Sequence, residues 1–205
     1  MTHHLSDTFG GGGTSLTPEQ QPRTTYYLIL PEAAVGLALV LVPLALGTAV
    51  GASGIDASRA PVSAATNPVE LAAHNLGIGG VALSGALTMG LTILLFSVPG
   101  WFIVGIDVGS AAREYGTAQT AAGLALHAPF EIAGFALLTA AGIAPLGHLV
   151  RVLSTRAPRW RDTARAALAA TAAGTTLVCL AALIETELTP RMQTHVSAPA
   201  HRPER

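Results

Sequence analysis

The stretch LALHAPFEIAGFALLTAAGI, residues 124–143, decides the fold. It is as long as a bilayer-spanning helix, which needs about 20 predominantly apolar residues, and it is nearly free of charge. Only His127 and Glu131 interrupt it. A charged side chain at the centre of a membrane helix costs roughly 2.5–3.5 kcal/mol on insertion scales, so such residues face a protein interior and mark function. A second run, LVCLAALIETELTP, carries Glu185 in the same way. Three groups able to bind a metal or move a proton therefore sit inside greasy segments.

The rest of the chain agrees with membrane composition. Half of its 205 residues are hydrophobic and only 11% are charged, against about 25% in soluble domains. Mean hydropathy is +0.50. All basic residues are arginine, and no basic patch with interleaved aromatics points to nucleic acid. Cys179, the single cysteine, cannot form an internal disulfide and reads as a small core residue.

Residues 1–25 are polar, with glycines at Gly10 to Gly13, and read as a flexible tail rather than a signal peptide. His3 and His4 belong to that solvated tail. Residues 26–190 form the membrane domain, and 191–205 a polar tail. Within the domain the expected spans are 28–50, 71–98, 119–150 and 166–188, with Pro43, Pro129 and Pro145 inside them. Pro99-Gly100 is read as a break, which leaves 101–112 as a short segment that either crosses or is re-entrant. The preferred architecture is an all-α polytopic membrane helix bundle of about five segments. Arginines at 151, 156, 159, 161 and 165 place that loop in the cytoplasm. His127, Glu131, Glu185 and His74-Asn75 then gather in the outer half.

His127 and Glu131 stand at i, i+4, a spacing that puts both on one helix face and that metal sites use. Pro129 fits best in a first helical turn, so the helix can begin there, with His127 in the preceding loop pointing back at Glu131. The competing reading is a hydrogen-bonded pair that stabilises the bundle. Glu185 is deeper than Glu187, which faces another direction and is read as solvated. Asn75 either caps the second span or donates to a substrate carbonyl, and His74 is a candidate fourth metal ligand. Asp107 is buried-looking, Glu32 lies where snorkelling is cheap, and His148 is interfacial. No phosphate loop, Gly-x-Ser-x-Gly elbow, H-E-x-x-H or paired-cysteine pattern occurs.

A span opening on Asn75, the segment GWFIVG, LHAPFEIAGFALLTAAGI and AALIETELTP together resemble the stage II sporulation protein M family over about residues 70–190. The match is strongest at His127, Glu131, Glu185, Thr189 and Pro190. His74 stands where that family has a first Asn, Ala128-Pro129 replaces its small pair, and Pro99-Gly100 occupies its Asn-Gly position. The resemblance implies a multi-pass protein of the bacterial plasma membrane. Members act with peptidoglycan-degrading partners in sporulation, or belong to gene clusters for ribosomally made antibacterial peptides. The expected partners are lipids, a small hydrophobic peptide, and an ABC transporter or other membrane subunits. The expected activity is a metal-dependent intramembrane peptidase. His127, Glu131 and Glu185, with His74, would hold a divalent metal such as zinc. Alternatively two of them would bind the metal while one carboxylate, Glu131 or Glu185, serves as general base, and in either case Asn75 would orient a peptide carbonyl. The alternative is a non-catalytic scaffold in envelope remodelling, sporulation, peptide export or immunity.

Overall fold

The computed structural model describes residues 29–55, 67–154 and 159–188. Both expected tails, with Thr189 and Pro190, most of the 51–70 loop, and Arg156 lie outside the described residues. Among the described residues six helices follow one another: α1 Leu30–Ala52, α2 Pro68–Ser84, α3 Val98–Tyr115, α4 Thr117–Leu124, α5 Ala128–Ser154 and α6 Trp160–Glu187. Four helical stretches are long and apolar enough to cross a membrane: α1, Ile93–Tyr115, α5 and α6. The molecule is an all-α polytopic bundle.

Contacts between small residues fix the direction of each helix. Gly47 and Gly51 of α1 lie against the carbonyls of Phe102 and Ile106, while Gly105 and Gly109 of α3 lie against those of Leu44 and Thr48. The contacts advance together, so α1 and α3 run parallel. A Cβ at any of these four positions would fall onto the facing backbone. In lipid no hydrophobic force drives helices together, so two interlocked Gly-xxx-Gly ridges supply close van der Waals contact instead. Gly36 of α1 meets Ala136 and Ala140 of α5, and Glu32 meets Gly147, so this pair is antiparallel. Ala82 of α2 meets Gly142, and Gly79 meets Leu138, so α2 runs with α5. Gly134 meets Gly174 and Val178 of α6, again antiparallel. Among the described residues α1, α2, α3, α5 and α6 thus alternate in direction, and four of the five stretches, all but α2, are long and apolar enough to be membrane spans, against the about five expected.

Two boundaries differ from expectation. The span expected over 71–98 ends at Ser84, and the chain then reverses through Met89 (φ 50°) and Gly90 (φ 88°). At 17 residues α2 is only about 25 Å long. The reversal supplies its own polar partners: the Gly90 N–H donates to the Gly85 carbonyl at 2.8 Å, and the Thr92 N–H to Thr88 Oγ1 at 3.1 Å. Nor does Pro99-Gly100 break the chain, and 101–112 is no short segment. It is the middle of a 23-residue helical stretch, Ile93–Tyr115. One π turn, Ile93–Ser97, precedes Pro99, with the Val98 N–H reaching back to the Ile93 carbonyl. The wider turn accommodates the missing N–H and the bulky ring of the proline, which a regular helix interior would reject.

Helix α5 is the axis of the bundle. More than half of its most apolar window, 56%, is buried, against 22–33% in the other three spans. Phe135 and Leu138 of α5 join Val40 and Val178 in the core, with Trp101 packed edge-on against Phe135 at 5.0 Å. Cys179 is not in that core. It is exposed, because α6 buries the stripe Gly174, Val178 and Ala181–Ala182, and the residue after Val178 turns away.

Candidate metal centre

His127 sits immediately before α5, and its carbonyl accepts the N–H groups of Phe130 and Glu131 at 3.0 and 3.1 Å. Pro129 falls in the first turn, where its absent donor is harmless. The helix start therefore aims His127 and Glu131 the same way, as the i, i+4 spacing implies. Glu185 comes from the far end of α6. The close Gly134–Gly174 crossing, one turn further along α5, brings that end within reach.

One ligand atom from each of His127, Glu131 and Glu185 lies within 4.8 Å of the other two. His127 Nε2 is 3.9 Å from Glu185 Oε2. A tetrahedral site with bonds of about 2.0–2.2 Å sets its ligand atoms about 3.5 Å apart, so side-chain adjustments of an ångström or less would close the set. One imidazole and two carboxylates suit a divalent cation, whose charge they balance. Asn75, buried on α2, donates from Nδ2 to Glu131 Oε1 at 3.2 Å. Such a contact orients a ligand from outside the coordination sphere. The second ring nitrogen of His127, Nδ1, is buried and has no hydrogen-bond partner among the described residues.

The centre opens on a cleft of about 420 Å³, formed by the end of α3, the short α4, His127 and Glu185. Gln119, Thr120, Gly123 and Leu124 of α4 line it. Thr120 Oγ1 is buried there without a partner among the described residues. None of these α4 residues stands out in the sequence. The only local signal is Gly116 (φ 91°), which turns the chain between two helices.

Other expected residues fall elsewhere. His74 is exposed and outside the group of three. Asn75 is not a cap: α2 begins at Pro68, with Asn67 accepting the Glu70 N–H at 2.8 Å, which leaves Asn75 inside the helix to reach Glu131. Glu187 is exposed, as read from its place at the helix end. Glu32 does not snorkel. It is 4% exposed and pairs with Arg151 at the opposite end of the bundle. Nearby, His148 Nδ1 lies 3.1 Å from Thr163 Oγ1, and its ring packs edge-on against Trp160.

No family model matches the chain, and neither the curated proteins nor the solved structures contain a match.

Proposed function

We propose that this membrane protein handles a small hydrophobic peptide in the bacterial plasma membrane, as a metal-dependent peptidase in the maturation of ribosomal antibacterial peptides. The observation that carries the reading is the convergence of His127, Glu131 and Glu185 beside an open cleft. These are the residues on which the resemblance to the stage II sporulation protein M family is strongest. His127, Glu131 and Glu185 would hold a divalent cation such as zinc. When bound, such an ion would supply Lewis-acid charge to a peptide carbonyl. Where two of the three hold the ion, the remaining carboxylate, Glu131 positioned by Asn75 or Glu185, takes the proton of the attacking water and returns it to the departing amine. The amide of Asn75 is engaged with Glu131, so its part is to position that carboxylate.

A second reading has its own support. The Asn75–Glu131 hydrogen bond ties α2 to α5, and the His127–Glu185 contact ties α5 to α6, so the same residues form a three-helix clasp. A scaffold needs nothing more. Elemental analysis of the purified protein, beside cleavage of a short hydrophobic peptide, separates the two. Stoichiometric divalent metal, lost together with cleavage in His127→Ala, Glu131→Gln and Glu185→Gln, supports the peptidase. Metal-free protein that completes its task leaves the scaffold.

A further inference from the structure

The cleft falls within the range of small-ligand sites, about 300–1,000 Å³. Its lining has a chemical order. Ala111, Gly123 and Leu124 give it small and apolar lining, and Tyr115, Gln119, Thr120, His127 and Glu185 give it polar groups. His127 is only 6% exposed, yet its Nδ1 lacks a partner among the described residues, as does the buried Thr120 Oγ1. Buried polar atoms are costly without hydrogen bonds, so each marks a place for a ligand or water atom. Glu185 brings Oε2 to 3.9 Å from His127 Nε2 while its side chain stays 40% exposed, so the carboxylate is accessible from the cleft it lines. No arginine lines the cleft.

We infer that the cleft takes the amino-terminal end of a short hydrophobic peptide, with its ammonium group at Glu185 and its first amide against Thr120 Oγ1 and His127 Nδ1. The inference rests on the peptide-handling reading for the class of ligand, and adds which end of the chain is recognised. A hydroxyl and an imidazole nitrogen can each donate or accept, so together they serve the N–H and the carbonyl of one amide. The small lining residues Ala111 and Gly123 leave room for a peptide backbone, and Leu124 offers apolar contact to the first side chain. An ethanolamine headgroup shares the ammonium but carries a phosphate beside it. With no arginine in the lining, that phosphate would face Glu185 uncompensated. A neutral amide in the same place meets no such penalty.

The test uses the full chain in phosphatidylcholine nanodiscs, treated with EDTA, and a short Leu/Ala peptide with a C-terminal fluorophore. Fluorescence anisotropy compares the free and N-acetylated forms. Acetylation is expected to weaken binding about tenfold. Glu185→Gln should erase that preference, Thr120→Val should weaken both peptides several-fold, and Thr120→Ser should restore binding. Equal affinity for the two peptides, or unchanged binding in a folded Thr120→Val protein, overturns the inference. Displacement by glycerophosphoethanolamine as strong as that by the free peptide also overturns it, and assigns the site to a lipid headgroup. Because this binding is read without metal, it stands even if metal-loaded protein cuts nothing. Cleavage indifferent to acetylation would keep the peptidase and overturn this inference.

Discussion

At one end of α5, Glu32 is met by Arg151, and His148 by Thr163. At the other end, Glu131 and Glu185 converge on a single histidine, and Asn75 donates to Glu131. Both groups are held among tightly crossed helices, yet only the first cancels its own charge. The wider setting repeats the contrast. Among the described residues the Arg151 end adds Arg159, Arg161 and Arg165 with Asp162, whereas the Glu131 end adds Glu70, Glu114 and Glu187 with Arg113. A group of opposite charges is complete as a structural lock. A group of like charges around a histidine would be balanced by a cation. The difference teaches where architecture stops and ligand chemistry begins.

The largest effect should come from breaking the lock. Arg151→Met leaves the Glu32 carboxylate buried without its counter-charge, which costs about 3–5 kcal/mol. Thermal unfolding in detergent should show the loss, and Glu32→Gln with Arg151→Met should recover most of it. A full effect that the double variant does not relieve would mean that Arg151 matters for packing rather than charge.

At the other end, zinc at about one hundred times its dissociation constant should stabilise the protein by about 2.7 kcal/mol. His127→Ala, Glu131→Gln and Glu185→Gln should each remove that gain. If zinc stabilises all three variants as well as the parent, the ion binds elsewhere and the contrast between the ends fails. Next in size is Thr163→Val, which takes the hydrogen bond from His148 and should cost about 0.5–1.5 kcal/mol. The smallest effect is the sharpest in sign. Without metal, Glu185→Gln should not destabilise, and the melting temperature should rise by the equivalent of up to about 1 kcal/mol as a like charge leaves Glu131. A clear fall in melting temperature would make Glu185 part of a structural clasp.

Much of this was legible from local chemistry. The pairing of His127 with Glu131 needs only a helical turn, and Pro129 marks where that turn starts. The sequence offers Asn75 two roles, cap of the second span or donor to a substrate carbonyl, and both depend on where α2 begins. With Asn67 as cap, Asn75 lies inside the helix and meets a carboxylate 56 positions away. The third traverse was misjudged because a proline predicts a break, and only a π turn ahead of it let the helix continue. Glu32 was misjudged for a different reason. Its partner lies 119 positions further on, and no pattern near Glu32 announces an arginine.

What the sequence determined by itself is what the solvent determines. Long apolar runs with few charges must become helices in a bilayer, since each backbone polar group has to be satisfied within its own segment. Polar residues inside those runs must turn inward, so His127, Glu131 and Glu185 were identifiable as a group worth finding. Only the tertiary structure decided that they meet. That depends on how closely α5 and α6 cross, which Gly134 and Gly174 permit through contacts far apart in the chain. The cleft beside them, with Thr120 on a short helix, depends on the same packing. Helix formation is a local response to the membrane, whereas a site is a distance between segments, and distances are set by packing.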